Sequence, residues 1–185
     1  MTRERTHDAP TDAPDDAQDA REGPTGWDRE RTVAYLLRLL ARRDYARAEL
    51  RERLGRKGVD PSVAEAAIER LERLELLDDR RVAEGVVRSR RDRKGRHALA
   101  RDLSRYGVSD ELRDEALAPL DDADQERTAR AVLEAHAWRF AGADRRKAYA
   151  KAASFLARRG FPGDSARVAL DAFFADSRDR GGDAG

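Results

Sequence analysis

The chain has 185 residues with 38 basic and 37 acidic side chains, and it is 39% hydrophobic, which is enough for a folded core despite the high charge. It contains no cysteine, which excludes a disulfide framework, a thiolate metal site and a cysteine nucleophile. It also lacks an N-terminal apolar segment of the signal-peptide type and any apolar run of about 18 residues, so we expect a cytoplasmic protein that does not enter a membrane.

The two ends of the chain are more acidic than its middle. Residues 1–26 contain seven acidic and three basic residues and no apolar period, so we predict a disordered N-terminal tail of net charge −4. Residues 176–185 carry a net charge of −1, and we predict a disordered C-terminal tail there. The intervening residues 27–175 therefore carry a net charge of +6, which favours a polyanionic partner.

The first predicted helix follows the N-terminal tail. Val33, Leu36, Leu37 and Leu40 have the i, i+3, i+4, i+7 spacing of one helix face. We therefore predict that this helix buries these four side chains.

Two further helices follow the first. Leu50 and Leu54 lie on the inner face of a helix that Gly58 ends. Asp60 with Pro61 behind it predicts the start of the next helix, because aspartate caps free backbone N–H groups and proline is favoured at the first helical position.

This pattern occurs three times, which indicates an internal repeat. Gly107 and Gly160 take the place of Gly58 at intervals of about fifty residues, and apolar residues recur at fixed distances before and after each glycine. We therefore predict an all-α fold of three tandem three-helix repeats that stack into an elongated array. The predicted repeats are residues 27–77, 78–121 and 122–175. The aligned apolar residues are Leu50, Leu99 and Ala152; Leu54, Leu103 and Leu156; Val59, Val108 and Phe161; Ala67, Ala116 and Ala169; Ile68, Leu117 and Leu170; and Leu71, Leu120 and Phe173.

The second and third repeats also have predicted helix starts. Ser109 and Asp164 follow Gly107 and Gly160 closely and have side chains that can cap a helix, so we predict that both are N-caps. The apolar positions of the first helices are Val82 and Val86 in the second repeat and Ala129, Val132, Leu133, Ala137 and Phe140 in the third.

The stretch VVRSRRDRKGRH, residues 86–97, is strongly basic. On a helix of about 100° per residue its cations surround the axis, so we expect the helix to leave the core after Val87 and to project into solvent until Gly95. The helix dipole accounts for one or two cations at a C-terminus and not for six. Nucleic-acid contact, protein contact and a merely solvated helix end are the alternatives, and we predict partner binding. The predicted residues are Arg88, Arg90, Arg91, Arg93, Lys94 and Arg96.

Basic pairs occur at other predicted helix ends. Arg42 and Arg43 end the first helix, and Arg158 and Arg159 precede Gly160. A basic last turn followed by glycine is ordinary helix-stop chemistry, and partner contact is the alternative. We include both pairs in the predicted partner-binding set.

The remaining residue types favour a protein without catalytic activity. Its three histidines lie in different regions, its serines lack a nucleophile motif, and no Gly-rich phosphate loop is present, so we expect no enzyme activity, metal or cofactor. Tyr106 precedes Gly107 and is a weak contact candidate. The aromatic residues predicted to lie in the core are Trp138, Phe140, Phe155, Phe161 and Phe173.

Three stretches together resemble the RecX family, regulators of the bacterial recombinase RecA. They are AYLLRLLARRDYARAELRERLGRKGV at 34–59, IERLERLELLDDRRVAEGVVRSRRDRKG at 68–95 and KAYAKAASFLARRGF at 147–161, and the resemblance covers residues 33 to 173. It implies a curved array that lies in the helical groove of the RecA filament on single-stranded DNA. It also implies inhibition of the ATPase, strand-exchange and coprotease activities of RecA, and we expect the protein to be a monomer.

Two other functions stay open at this point. The basic residues also suit a helical-repeat protein that contacts the phosphates of single- or double-stranded nucleic acid directly. A helical scaffold for an unrelated protein is the third possibility.

Overall fold

The computed structural model describes residues 26–142 and 144–181, and the regular secondary structure in these ranges is entirely helical. Each repeat contains three α-helices, which confirms the predicted all-α fold of three-helix repeats. A 3₁₀ turn, Ala137–Arg139, follows the first helix of the third repeat. The helices are α1 (Arg29–Leu40), α2 (Arg47–Arg56) and α3 (Pro61–Arg73); α4 (Asp79–Arg90), α5 (Arg96–Arg105) and α6 (Asp110–Leu117); and α7 (Asp122–Ala135), α8 (Arg145–Arg158) and α9 (Gly163–Gly181).

Each repeat has its own hydrophobic core. The first and third helices of a repeat lie against each other, and the second helix closes the core. Leu54, Leu103 and Leu156, at equivalent places on the three second helices, are completely buried. Separate cores in successive units are the arrangement expected of a tandem array.

The turn that ends each second helix is the same in all three repeats. Gly58, Gly107 and Gly160 have φ angles of 72°, 73° and 76°, in the left-handed region that glycine adopts readily. The N–H of the residue after each glycine donates to the carbonyl of the buried leucine five positions earlier, at 3.1–3.2 Å. This is the Schellman motif, and it buries Val59, Val108 and Phe161 as predicted.

The buried face of α1 differs from the predicted one. Leu37 is 42% exposed, whereas Tyr35 and Leu39 are almost fully buried. The face is rotated because the Tyr35 hydroxyl accepts a hydrogen bond from Arg53 Nε on α2, at 2.7 Å, and the Tyr35 ring packs edge-on against Trp27.

Two of the three predicted N-caps are confirmed. Asp60 accepts the N–H of Ser62 at 2.8 Å, and Ser109 accepts the N–H of Leu112 at 3.3 Å. The prediction for Asp164 is wrong, because α9 begins at Gly163 and Asp164 lies inside its first turn. The Asp164 carboxylate still interacts favourably with the positive end of the helix dipole.

Trp138 is the exception among the aromatic residues predicted to be buried. Its side chain is 70% exposed on the 3₁₀ turn, so the core prediction is wrong for this residue. The helical periodicity on which it rested fails because α7 ends at Ala135. The four phenylalanines are buried as predicted, at positions 140, 155, 161 and 173.

Neighbouring repeats join through their second helices. The turn at Gly107, which ends α5, lies against Ala48 in the first turn of α2, and a Cβ added to Gly107 would stand 2.2 Å from the Cβ of Ala48. The turn at Gly160, which ends α8, lies in the same way against Ala98 in the first turn of α5. Helices α2 and α5 therefore each meet, at the N-terminus, the glycine turn of the next repeat.

The next repeat also caps these N-termini. Ala46 and Gly95, the N-cap residues of α2 and α5, have no side-chain acceptor. The N–H of Arg47 donates instead to Asp79 Oδ1 on α4 at 2.8 Å, and that of Arg96 donates to Gln125 Oε1 on α7 at 2.7 Å. Folding of the second helices is thus coupled from one repeat to the next.

The predicted tails lie largely outside the described residues. Of the N-terminal tail only Gly26 is described, and residues 182–185 at the other end are not. Helix α9 continues to Gly181, past the predicted tail boundary at residue 176, because no proline or glycine interrupts the sequence before that point. Within the described ranges, no helix has the length and apolar character needed to cross a membrane.

Candidate partner-binding site

The basic stretch is not one continuous helix. Helix α4 ends at Arg90, and a turn leads to Gly95, the N-cap residue of α5. The prediction of a charged helix that projects into solvent until Gly95 is therefore wrong. The chain turns because Gly95 lies against the third repeat: its N–H donates to the carbonyl of Arg159 at 2.9 Å, and an added Cβ would stand 2.4 Å from the Phe161 backbone.

Two of the six cations point inward. Arg90 Nη1 and Lys94 Nζ donate to Asp102 Oδ2 at 2.7 and 2.9 Å, and Arg90 also donates to the Tyr106 hydroxyl at 3.1 Å. The Asp102 side chain is only 7% exposed. Burial by itself would raise the pKa of Asp102, but the hydrogen bonds from Lys94 and Arg90 outweigh it, so the pKa of Asp102 is lowered.

Arg96 is half-buried at the start of α5. Its guanidinium donates to the carbonyl of Leu120 at 3.3 Å, and its backbone N–H is the one that Gln125 caps. Arg96 therefore helps to join the second repeat to the third.

The other three cations point outward. The side chains of Arg88 and Arg91 are 75% and 59% exposed, and Arg93 is also exposed. The nearest carboxylates of Arg88 and Arg91 stand 3.9 Å away on Glu84 and 3.8 Å away on Asp92. Exposed ion pairs of this length contribute little to stability, so these arginines can contact a partner at low cost.

The junction brings a second predicted pair to the basic stretch. Arg159 Nη1 donates to the carbonyl of Arg93 at 3.5 Å, across 66 positions of sequence, and its guanidinium lies 4.5 Å above the Phe155 ring. Arg158 is exposed at the end of α8. Arg159 therefore brings the end of α8, which carries Arg158, to the turn that carries Arg93.

The remaining predicted pair occupies the equivalent loop of the first repeat. Arg42 and Arg43 follow α1 and do not lie within it. The Arg43 guanidinium lies 3.6 Å above the Tyr45 ring and pairs with Glu49. Burial would lower the pKa of Arg43, but the hydrogen bond with Glu49 outweighs it and the pKa is raised. The pair therefore lies in the loop between α1 and α2, with Arg43 held by Tyr45 and Glu49.

The structure also shows a groove that the sequence did not indicate. It lies between α4 and α6 in the second repeat and has a volume of about 520 Å³. Arg88 and Arg91 are part of its lining, together with Leu112, Ala116 and Pro119 from the other side. The sequence feature that could have indicated the groove is Pro119, which comes two residues after the end of the short helix α6.

The described part of the chain holds no group of three His, Cys, Asp or Glu side chains placed to bind a metal ion. His136 is half-buried: its Nδ1 lies 2.8 Å from the carbonyl of Val132, and its ring packs against Phe155. The site thus consists of exposed arginines and an adjacent groove.

Family models match the chain in all three repeats. They describe the first, second and third three-helix domains of RecX and match residues 33–71, 78–117 and 123–170. Each matched range falls inside the corresponding predicted repeat.

Relatives of known name also resemble the chain. Regulatory protein RecX of Halorhodospira halophila is 43% identical over 147 residues, which cover 79% of this chain and 89% of the relative. Regulatory protein RecX of Mycolicibacterium vanbaalenii is 39% identical over 160 residues, which cover 82% and 86%.

Solved structures share the fold. The crystal structure of RecX from Lactobacillus salivarius has a TM-score of 0.71 and 23% identity, and the match covers 80% of this chain and 97% of the other. A second crystal structure, titled regulatory protein RecX, has a TM-score of 0.71, 18% identity and coverages of 84% and 85%.

Proposed function

Since the chain belongs to the RecX family of regulatory proteins, we propose that it binds the RecA filament on single-stranded DNA, in the helical groove of the filament, and inhibits it. The inhibited activities are ATP hydrolysis, strand exchange and coprotease action, through which the protein modulates recombination, DNA repair and the SOS response. It acts as a cytoplasmic monomer, by binding and without catalysis.

The exposed arginines at the junction of the second and third repeats are the observation that carries this proposal. Arg88, Arg91, Arg93 and Arg158 are all exposed, and residues 27–175 carry a net charge of +6. A filament wrapped around DNA presents a polyanion next to protein surfaces, and a basic surface is attracted to it over a Debye length of about 8 Å. A tandem array can contact neighbouring filament subunits at the same time.

Inhibition requires that the protein distinguish between states of the filament. A bound protein restrains a conformational cycle only by the difference between its affinities for the states of that cycle. We propose that it binds the subunit arrangement present before nucleotide turnover more tightly than the arrangement after it. It also obstructs the path of incoming duplex DNA and of repressor substrates.

The test replaces Arg88, Arg91 and Arg93 together by alanine. We expect the concentration for half-maximal inhibition of filament ATPase to rise about tenfold, since three exposed charge contacts are lost. Helicity by circular dichroism and the melting temperature are expected to stay close to those of the parent protein, because all three side chains are exposed.

The matched control replaces three arginines on other helices, each of which has a carboxylate one turn away. Arg73, Arg127 and Arg167 are 61%, 72% and 65% exposed, so this variant loses the same charge. It should inhibit nearly as well as the parent. Equal loss of inhibition in both variants would mean that net charge, and not this surface, binds the filament.

Direct nucleic-acid binding is the alternative function. Trp138 favours it, because it is 70% exposed and the Arg139 guanidinium lies 5.7 Å from its ring, which is a combination suited to base stacking. Labelled single-stranded DNA mixed with the protein over a range of salt, with and without recombinase, separates the two functions. Tight and strongly salt-dependent binding without recombinase supports the alternative.

A further inference from the structure

The groove between α4 and α6 has the chemistry of a peptide-binding site. We infer that it takes a short acidic segment of a protein partner, anchored by one bulky apolar side chain. The inference deepens the proposed function, on which it rests, by naming the kind of partner element that the second repeat contacts.

The groove exists because the third helix of the second repeat is short. Helix α6 has 8 residues, whereas its counterparts α3 and α9 have 13 and 19. It ends at Leu117, and Pro119 follows, which lacks the N–H needed to continue a helix. The C-terminal half of α4, which carries Val87 and Arg88, is therefore left without a full helix beside it.

The middle of the groove is apolar. Its lining includes the aliphatic side chains of Val87, Leu112, Ala116 and Leu120, together with Pro119. The volume of about 520 Å³ lies within the range of roughly 300–1,000 Å³ that is typical of ligand pockets. A phenylalanine or leucine side chain can therefore enter it and leave room for neighbouring peptide atoms.

The charges along the groove favour carboxylates on the α4 side. Arg80 pairs across the groove with Glu115 of α6, and the hydrogen bond from Arg80 lowers the pKa of that carboxyl. Glu84 is 3.9 Å from Arg88, and Arg91 has Asp92 at 3.8 Å, outside the lining. Arg88 and Arg91 are thus weakly paired, and a guanidinium binds a carboxylate with two parallel hydrogen bonds.

The same groove is poorly suited to nucleic acid. The lining contains no aromatic side chain on which a base could stack. Helix α6, with the sequence DELRDEAL, carries four acidic residues and one arginine and repels a backbone with a charge at every nucleotide. A peptide can place its few carboxylates beside α4 alone.

Peptide binding to the isolated full-length protein tests the inference. The probe is a fluorescently labelled peptide with a single phenylalanine flanked by glutamates, and fluorescence anisotropy measures its affinity. We expect the same peptide with alanine in place of phenylalanine to bind at least about tenfold more weakly, because the apolar contact is lost. A version with lysines in place of the glutamates should show no binding.

Variants of the protein locate the binding site. Ala116→Phe fills the groove, and Arg88→Ala with Arg91→Ala removes its two weakly paired cations and leaves Arg80 with Glu115. Each variant is expected to weaken binding of the phenylalanine peptide about tenfold. The control pair Arg73→Ala and Arg127→Ala should bind like the parent. If Ala116→Phe fails to fold, the double arginine variant still tests the inference. It is expected to fold because both side chains are exposed.

Three results would overturn the inference. The first is equal affinity for the phenylalanine and alanine peptides, and the second is unchanged peptide binding by both groove variants. The third is loss of single-stranded DNA binding or of self-association in the groove variants without loss of peptide binding, which would assign the groove to nucleic acid or to a second copy.

Filament ATPase assays on the same variants separate this inference from the proposed function. Inhibition of RecA together with failure to bind the peptide would leave the proposed function intact and remove the groove inference. Peptide binding without inhibition of RecA would support the groove inference and contradict the proposed function.

Discussion

A single residue, Asp102, binds two of the six cations of the basic stretch. It holds Arg90 and Lys94 from one side of the turn after α4, and its side chain is 7% exposed. A buried carboxylate with two cations is costly to disturb, since removal of one partner leaves charge without compensation. Asp102 therefore fixes the turn that carries the exposed Arg91 and Arg93.

We predict that Asp102→Asn destabilises the protein by about 1–3 kcal/mol at neutral pH. The folded-state pKa of Asp102 is lowered, so its contribution is fully present above the unfolded pKa of about 3.9 and is lost as the pH falls through the folded value. The difference between variant and parent should shrink on acidification. Urea unfolding at neutral and acidic pH measures it.

Asp92→Asn is the control for this measurement, because the Asp92 side chain is 87% exposed. We expect no change in its unfolding midpoint. A similar loss in both variants would mean that Asp102 contributes no more than a surface charge.

At the scale of the helices, the repeats are joined at the N-termini of α2 and α5. Helix α2 of the first repeat and helix α5 of the second repeat are each capped by the repeat that follows. Each also contacts the glycine turn of that repeat. In the third repeat, Asp144 accepts the N–H of Arg146 at 3.0 Å, at the start of α8. Helix α8 is therefore capped from within its own repeat, unlike α2 and α5.

Gly160→Ala and Gly58→Ala measure what a junction contributes. Both glycines have a left-handed backbone, so each alanine costs about 1–2 kcal/mol of conformational strain. An added Cβ meets nothing within 4 Å at Gly58, but at Gly160 it stands 2.3 Å from the backbone nitrogen of Ala98. We predict that Gly160→Ala lowers the free energy of unfolding by about 1–3 kcal/mol more than Gly58→Ala does.

Urea unfolding of the two variants is the measurement. Equal destabilisation would mean that the third repeat moves away from the second without cost. That outcome would contradict a tightly packed junction at Gly160.

Charge is distributed unevenly over the whole molecule. Residues 1–26 have a net charge of −4 and residues 27–175 a net charge of +6. Opposite charges on one chain attract each other in a manner that salt screens. We propose that the acidic N-terminal segment competes with the filament for the basic surface.

Deletion of residues 1–26 should then tighten filament binding at low salt by a few-fold and have little effect at high salt. A variant that keeps the length but replaces the seven acidic residues by their amides controls for the loss of chain. It should behave like the deletion. Unchanged affinity at low salt in both variants would contradict competition.

Signals confined to a few neighbouring residues predicted much of the fold. Leu54, Gly58 and Val59 define a Schellman turn through hydrogen bonds that span five positions, and the same spacing in the other repeats gave the register. The face of α1 and the exposure of Trp138 were predicted wrongly, because they depend on which helices lie alongside and where α7 ends. The groove depends on the length of α6, which periodicity does not measure.

The all-α class, the three repeats and the glycine turns could be predicted from the sequence, because backbone conformation and helix periodicity depend on interactions within a few residues. Which cations are exposed and which are buried depends on contacts between helices that are distant in the sequence. Arg90 and Lys94 bind Asp102, and the chain turns at Gly95 because Phe161 of the next repeat lies against it. Long charged side chains extend toward a nearby opposite charge, and for Arg90 and Lys94 that charge is Asp102 on α5.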